Sequence, residues 1–456
     1  MLMLRVTKTF LLCSLLMSSL WGQLAPEIPV LDSVQPILPV EGLRTLVEGS
    51  PTFNRCFSGF ALYHPIDGEI IYEKDADKCY IPASNTKILT FWTAWNILGD
   101  SIPALRYVIK GDSLIFWGTG NPTFLNPDLP KDSTVLAFLR SRPERLYFSA
   151  HNFEDDSYAP GWSWRNYNYD FQPERSPFPI YGNVVTFQRT RSKYGFEVYP
   201  AYFEDKTKYN SRLRSSYAYI QRRKESNLFE YNSRAKSGGP FFRKIPFRTS
   251  PQLIADLLSD TLRRPVQLIN GRNIVPAYQT QTLSIALTDV VYQKLMQDSD
   301  NFIAEHLLMA CSEKLFGHIN TKQVIVYANE NIFKGLVNDC MWEDGSGLSR
   351  YNLFTPFSVT QVLNKLYQNI PSERLLSIFA TGGVNGTIRS WYGGKERPYV
   401  YAKTGSLNGV HCLSGYVLTK TNRILIFSFM HNNFNFGADA LKVEMQKVLR
   451  YVAENY

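Results

Sequence analysis

Strand-forming segments lie near both ends of this chain, and they constrain its fold more than any other feature. Near the start, FSGFALYHPIDGEIIYE places alternating apolar residues on both sides of Asp67-Gly68, a pattern typical of a β-hairpin. Near the end, GYVLTKTNRILIFSFM predicts two apolar strands. The last segment predicts a helix with one buried stripe, made of Leu441, Met445, Val448, Leu449 and Val452. A sheet closed by both termini, with helices between them, predicts an α+β domain.

The middle of the chain has a different character. From about Gly99 to Thr249 it contains short Tyr- and Phe-rich stretches with many Asn, Pro and Gly, which favours a β-rich insertion. Helices return in SPQLIADLLSDTLRR, where Ser250 is the predicted N-cap. We therefore predict a discontinuous main domain at residues 23–98 and 250–456, interrupted by an inserted accessory region at residues 99–249.

The first 22 residues have the composition of a secretory signal peptide. Arg5 and Lys8 precede an apolar stretch from Phe10, and the small residue Gly22 follows it. The apolar core is short for a membrane span, although a retained N-terminal anchor is the alternative. We expect residues 1–22 to be removed and the mature protein to be periplasmic.

Most of the formal charge of +9 comes from one stretch. Residues 189–248 contain 15 Lys and Arg against 5 Asp and Glu, a surplus of +10. No nucleic-acid partner is expected, because the stretch lacks any reading motif and the protein is predicted to be exported. Two interpretations remain: a solvated face of the insertion, or a surface including Arg222, Arg223 and Lys224 that contacts an anionic wall or membrane.

Ser84 and Lys87 stand at the head of an apolar run in YIPASNTKILTFWTAW. On a helix, positions i and i+3 share a face, so this S-x-x-K spacing brings the hydroxyl to the amine. A desolvated lysine can activate a serine nucleophile. The spacing alone is weak evidence, since Ser is also a favoured helix cap and Ser233-Arg234-Ala235-Lys236 repeats the pattern in a polar loop.

Two further motifs favour the nucleophile over the cap. Ser299-Asp300-Asn301 precedes the apolar segment FIAEHLLMA, and Lys403-Thr404-Gly405 precedes a predicted strand. Taken singly, Ser299 reads as an N-cap and Lys403 as a solvated lysine. The ordered series S-x-x-K, S-D-N and K-T-G is the signature set of penicillin-binding proteins and class A β-lactamases.

The flanking sequence narrows this resemblance. WGTGNPTF, QDSDNFIAEHLL, EDGSGLSRYNLFTP, TGGVNGTIRS and AKTGSLNGVHCLSGY are similar to segments of the D-alanyl-D-alanine carboxypeptidase/endopeptidase family. These low-molecular-mass penicillin-binding proteins carry a large insertion between the first two motifs, here 211 residues long. The resemblance implies a β-lactamase/transpeptidase-like domain, an antiparallel sheet flanked by helices. The chain departs from the family pattern at Asn121 and in Trp162-Ser163-Trp164-Arg165-Asn166, where relatives have G-D-P-T and W-x-W-D-D.

The resemblance also implies roles for individual residues. Ser84 is the nucleophile and Lys87 its base, while Ser299 and Lys403 relay the proton to the leaving amine and hold the substrate carboxylate. Asn301 bonds the substrate amide.

Four further positions complete the expected site. The oxyanion lies between the main-chain N–H groups of Ser84 and Ser406, and Thr404 and Gly405 line the substrate. Arg350 either contacts the peptide side chain or forms a structural salt bridge.

The expected substrates are peptidoglycan stem peptides that end in D-Ala-D-Ala or carry D-Ala cross-links, and β-lactams are the expected inhibitors. No cofactor and no metal are expected. Two alternatives stay open: a serine β-lactamase, and a catalytically idle wall-binding protein on the same scaffold.

Overall fold

A computed structural model describes residues 40–190, 195–270, 280–336 and 340–456. The predicted signal peptide at residues 1–22 lies outside these ranges. Within them, no helix combines the length and the apolar character needed to cross a membrane.

The secondary structure alternates between helix-rich and strand-rich parts. The helices are α1 (Val40–Glu48), α2 (Lys87–Leu98), α3 (Thr134–Ser141), α4 (Ser233–Ser237), α5 (Pro251–Leu262), α6 (Asp289–Met296), α7 (Asn301–Phe316), α8 (Thr321–Asn331), α9 (Pro356–Asn369), α10 (Ser372–Ile378) and α11 (Ala438–Asn455). The strands are β1 (Phe57–His64), β2 (Glu69–Lys74), β3 (Ser101–Lys110), β4 (Ser113–Gly118), β5 (Arg145–Ser149), β6 (Val184–Arg189), β7 (Glu197–Tyr199), β8 (Thr207–Tyr209), β9 (Ile220–Arg222), β10 (Phe229–Tyr231), β11 (Phe241–Pro246), β12 (Val266–Leu268), β13 (Gln281–Ala286), β14 (Ala380–Thr381), β15 (Val400–Leu407), β16 (Val410–Leu418) and β17 (Ile424–Asn432).

An antiparallel sheet in the order β14-β15-β16-β17-β1-β2 forms the centre of the main domain. Because β1 pairs with β17, the two ends of the chain meet in one sheet, as the sequence predicts. One face packs against α1 and α11, and the other packs against the helical layer that contains α2 and α9. The predicted α+β class and antiparallel sheet are confirmed.

Local predictions for the main domain agree with the structure. The hairpin at Asp67-Gly68 joins β1 to β2, and the five residues of the α11 stripe are buried. Ser250 caps α5 by accepting a hydrogen bond from the Leu253 N–H at 3.1 Å. These features depend on residues close in sequence, which is why periodicity and cap chemistry predict them.

The inserted region is rich in strands, and its largest sheet extends past the predicted boundary. The sheet order is β12-β5-β4-β3-β13, so β3, β4 and β5 share it with strands that follow residue 249. Helix α5 packs beside β12. The predicted boundary at residues 249 and 250 therefore falls between strands of one sheet. We propose that the insertion ends after Ala286, before α6 begins.

Two cations of the basic stretch are buried and so belong to no exposed face. Arg189 is 5% exposed and donates to the carbonyls of Ala235 and Gly239. Arg222 is 1% exposed, and its guanidinium lies 5.1 Å from the centre of the Tyr167 ring. Arg222 donates to the main-chain carbonyls of Pro246, Arg223, Lys224 and Ser226. Including Arg222 in a docking or solvated face was wrong, whereas contact of the exposed cations with an anionic surface stays a prediction.

Arg222→Ala should lower the free energy of unfolding by about 2–5 kcal/mol, because it leaves several carbonyls without their buried donor. Lys224→Ala is the matched control; the Lys224 side chain is 56% exposed, so that change should stay within about 1 kcal/mol. Chemical denaturation of both variants measures the difference. Equal effects would show that Arg222 has no special structural role.

Candidate active site

Ser84 lies in a tight turn that presses against the edge of the central sheet. The 3₁₀ turn Ala83–Thr86 leads directly into α2, and within the described structure no side chain caps that helix. Ser84 is therefore not the helix cap. Ala83 has a positive φ of 48°, a conformation uncommon for a residue with a side chain. Gly405 of β15 permits the close approach, since a Cβ there would collide with the carbonyl of Pro82.

Lys87 is completely buried, and its amine has three oxygen neighbours. The Nζ atom lies 3.0 Å from Ser84 Oγ, 2.5 Å from Asn301 Oδ1 and 2.5 Å from the Ser346 carbonyl oxygen. The pairing of Ser84 with Lys87 is thus a direct hydrogen bond between side chains. The i, i+3 spacing places the two groups together, and the other two neighbours come from distant parts of the chain.

The two carbonyl oxygens determine how a neutral Lys87 must point. A neutral amine has two N–H donors and one lone pair, and carbonyl oxygens can only accept. The side chain of Asn301 is oriented because its Nδ2 donates to the Phe171 carbonyl at 2.7 Å, which leaves Oδ1 facing Lys87. Donation to Asn301 and Ser346 therefore turns the lone pair toward Ser84, the geometry that removes a proton from its hydroxyl.

Burial lowers the pKa of Lys87 to about 8, although the nearby carboxylates of Asp344, Glu305 and Asp300 act in the opposite direction. The pKa of Lys403 also falls, well below its usual range, through burial first and the nearby charge of Lys87 second. An amine with a pKa of about 8 is about one-tenth neutral at pH 7, far more than an ordinary lysine.

A second serine–lysine pair faces the same cleft. Lys403 is buried on β15, and its Nζ lies 2.8 Å from Ser299 Oγ and 2.7 Å from the Thr404 carbonyl. Ser299 has a positive φ of 61°, and Asp300 rather than Ser299 caps α7 by accepting from the Ile303 N–H. Because Asp300 caps the helix, the Ser299 hydroxyl remains available to bond to Lys403. Non-glycine residues in this conformation concentrate at functional sites.

The residues after Lys403 form the accessible rim of the cleft. Thr404 donates to Thr387 Oγ1 at 2.7 Å, and Ser406 is exposed with its Oγ 2.9 Å from Nδ1 of the buried His411. The sheet register pairs Ser406 with His411, which fixes the strand beside the Ser84 turn. Roles for Thr404, Gly405 and the Ser406 N–H in binding substrate or an oxyanion stay predictions.

Arg350 bonds to a main-chain carbonyl in this structure. Its guanidinium donates to the carbonyl of Asn408, in the turn between β15 and β16, at 2.7 Å. Among the described residues it forms no salt bridge. Contact of Arg350 with a substrate side chain stays a prediction, as does the bond from Asn301 to the substrate amide.

Sequence reasoning missed the acidic groups that hold the Ser346 carbonyl in place. Glu305 accepts from the Ser346 N–H at 2.7 Å, and Asp344 accepts from the N–H groups of Gly347 and Ser349 at 2.8 and 2.7 Å. Burial raises the pKa of Glu305 to about 7. The one signal for this loop in the sequence is the glycine pair in DGSG. Gly347 has a positive φ of 80° and packs on the Ala83 carbonyl, a position that requires glycine.

The inserted region also supports this loop. Trp162 Nε1 donates to Asp344 at 2.7 Å, and the buried Arg175 lies 3.8 Å from Glu305. Together with the Phe171 carbonyl on Asn301, these contacts bring the insertion into the machinery around Lys87. No sequence pattern pairs these residues, since they are 130–182 positions from the groups they hold or orient.

These groups have the arrangement that a serine acyl-transfer site needs: a serine hydroxyl bonded to a buried amine, and a second serine–lysine pair beside it. Among the described residues, no three His, Cys, Asp or Glu side chains are grouped to hold a metal ion.

The model of the D-Ala-D-Ala carboxypeptidase 3 (S13) family matches residues 41–454, and the chain belongs to this family. The resemblance stated from the motifs is confirmed.

Individual relatives agree with the family. The D-alanyl-D-alanine carboxypeptidase DacB of Haemophilus influenzae is 28% identical over 235 residues, which cover 49% of this chain and 49% of the relative. The chain thus matches about half the length of that relative. A D-alanyl-D-alanine carboxypeptidase of an Actinomadura species is 24% identical over 447 residues, covering 86% of this chain and 80% of the relative.

Solved structures support the same fold. The crystal structure of penicillin binding protein 4 (dacB) from Haemophilus influenzae superimposes with a TM-score of 0.71 at 20% identity, covering 91% of this chain and 100% of the other. The same protein complexed with a β-lactam gives a TM-score of 0.65 at 20% identity, with coverage of 91% and 99%. The fold, including the inserted region, is therefore shared with this protein.

The rate of acylation by a labelled penicillin should rise with pH and level off above about 8, the pKa of Lys87. Below that pH the ammonium form cannot accept the Ser84 proton, so the rate should fall about tenfold per pH unit. Lys87→Arg should lose about 10²–10⁴-fold in rate, because a guanidinium stays protonated.

Lys314→Arg is the control, since Lys314 donates to the Leu98 carbonyl at 2.9 Å, at the far end of α7. It should keep the wild-type rate and profile. A Lys87→Arg protein that acylates as fast as the Lys314→Arg protein would exclude Lys87 as the base.

Proposed function

We propose that this chain is a serine-type D-Ala-D-Ala carboxypeptidase that also cleaves D-Ala cross-links of peptidoglycan peptides, as a DD-endopeptidase. One observation carries the proposal: the 3.0 Å contact between Ser84 Oγ and the buried Lys87 amine, within a chain of the S13 family. The partly exposed Ser84 and Ser299 leave both hydroxyls accessible to a peptide in the cleft.

Acylation begins when Ser84 attacks the carbonyl carbon of the penultimate D-Ala. Lys87 takes the hydroxyl proton, and the main-chain N–H groups of Ser84 and Ser406 stabilise the oxyanion. The scissile C–N bond then breaks, an ester forms on Ser84, and the terminal D-Ala or cross-linked amine leaves after gaining a proton.

The second pair supplies that proton and holds the substrate terminus. Ser299 Oγ lies 2.8 Å from Lys403 and can pass a proton to the leaving amine. Burial lowers the pKa of Lys403, and a substrate carboxylate placed beside it would raise that pKa again and restore the charge. Lys403 therefore becomes charged when a substrate with a C-terminal carboxylate is bound beside it.

Water completes the cycle by hydrolysing the ester. A β-lactam acylates Ser84 by the same steps, but its leaving group stays tethered and the adduct persists. Membership of the S13 family favours the peptidase over a serine β-lactamase. The assembled serine–lysine pairs favour an active enzyme over an idle wall-binding protein.

Incubation with a soluble pentapeptide ending in D-Ala-D-Ala should release one D-Ala, measured by mass spectrometry. Ser84→Ala should abolish both release and labelling by penicillin, because it removes the nucleophile. Ser233→Ala changes the other S-x-x-K serine, exposed at the start of α4, and should change neither.

Retention of the penicillin label in the Ser84→Ala protein would exclude Ser84 as the acylated residue. Wild-type protein that is labelled but rapidly hydrolyses penicillin, without releasing D-Ala, would instead identify a β-lactamase.

Export to the periplasm is part of the proposal, because the substrate is outside the cytoplasm. The support is the charged start and short apolar core of residues 1–22. Mass spectrometry of protein from the native cell should find a mature N-terminus near Gln23. Intact Met1 in the membrane fraction would contradict it.

A further inference from the structure

The inserted region contains an aromatic cavity of about 570 Å³ that the catalytic steps do not use. Its lining includes Tyr167, Tyr169, Tyr217, Tyr219 and Phe242. Tyr169 is 56% exposed, Tyr217 59% and Phe242 53%. Exposed aromatic side chains gathered in one concavity are typical of a ligand groove rather than of a solvated surface.

The aromatic cavity lies next to the active site. A smaller cavity of about 220 Å³ is lined by Ser299 and Asn301, and Asp170 and Lys244 line both cavities. Across the junction, the ring of Tyr169 stacks on that of Phe171 with centroids 5.4 Å apart. Because the Phe171 carbonyl holds Asn301, a ligand that leaves the catalytic cleft on this side meets the aromatic cavity next.

The charge of the aromatic cavity favours an anionic ligand. Arg165 and Arg243 both line it and are exposed, and neither has a carboxylate partner among the described residues. Lys244 pairs with Asp128, so its charge is already compensated. Asp170 also lines the cavity, so the two arginines exceed its single carboxylate by one charge. Guanidinium groups bind carboxylates through paired hydrogen bonds, which makes these unpaired arginines a receptor for a carboxylate-bearing molecule.

The backbone around the aromatic cavity favours an extended peptide. Strand β11, which supplies Phe242 and Arg243, is an edge strand that pairs only with β6 within the described residues. An edge strand leaves alternate N–H and C=O groups without partners in its own sheet. An added peptide strand can use these groups, while side-chain pockets provide specificity.

We propose that the aromatic cavity binds the second stem peptide of a cross-linked substrate, an extended and carboxylate-bearing chain beyond the scissile bond. This inference rests on the proposed function and deepens it, because a bound second strand favours cleavage of cross-links over removal of a terminal D-Ala. Arg243 and Phe242 are then specificity-determining residues that do not touch the reacting atoms.

The double variant Phe242→Ala/Arg243→Gln tests this assignment by comparing two substrates. Its kcat/KM for a purified cross-linked muropeptide dimer should fall about tenfold, whereas kcat/KM for diacetyl-Lys-D-Ala-D-Ala should stay within about twofold of wild type. The double variant Lys208→Gln/Tyr209→Ala is the matched control, because it removes an exposed cation and an exposed aromatic residue outside the aromatic cavity. The control should leave both substrates unchanged.

Parallel losses on both substrates would show that Phe242 and Arg243 support the fold, and would overturn the assignment. No loss on the dimer would also overturn it. Competition by peptide-free glycan oligosaccharides at the same site would show that sugars occupy the cavity, and would exclude the peptide.

A binding titration separates this inference from the proposed function. In the Ser84→Ala background, which cannot be acylated, the dimer should bind about tenfold more weakly when Phe242→Ala/Arg243→Gln is added. That result needs no cleavage, so it holds even if the wild-type enzyme releases no D-Ala. Equal affinity with and without the added changes would overturn the second-strand site.

Discussion

The buried Lys87 amine is the group on which the rest of the site depends. A lysine removed from water is costly unless it is neutral or has suitable partners, and here three oxygens from three parts of the chain surround it. Two of them are carbonyl oxygens that only accept, so the neutral amine must direct its lone pair at Ser84. The same contacts therefore set the position and direction of the amine, while its burial favours the neutral form.

Those contacts explain why the inserted region lies next to the groups that surround Lys87. Phe171 orients the Asn301 side chain, and Trp162 holds Asp344, which organises the loop that presents the Ser346 carbonyl. The insertion thus forms part of the surroundings of Lys87, which belongs to the main domain. The same part of the insertion continues into the lining of the aromatic cavity, so in our proposal one segment both orients a partner of Lys87 and contacts the substrate.

The basic stretch shows how composition can mislead about surfaces. Its surplus of positive charge suggests a single cationic face, yet Arg189 and Arg222 are buried and bonded to main-chain carbonyls. Arginine can serve this purpose because its guanidinium presents several donors in a fixed geometry. Other cations of the stretch, such as Arg243, remain exposed, so only part of the surplus charge lies at the surface.

The sequence by itself determined the features that depend on local chemistry or on ordered motifs. These are the hairpin at Asp67-Gly68, the cap at Ser250, the stripe of α11 and the closeness of Ser84 to Lys87, because each involves residues within a few positions of one another. The order of the three motifs, together with the segments that flank them, also indicated the family. Only the tertiary structure decided which groups surround Lys87, since Ser346 is 259 positions away and Asn301 is 214. Such partners are selected by packing between distant segments and by the need to satisfy a buried amine, and neither leaves a periodic pattern in the chain.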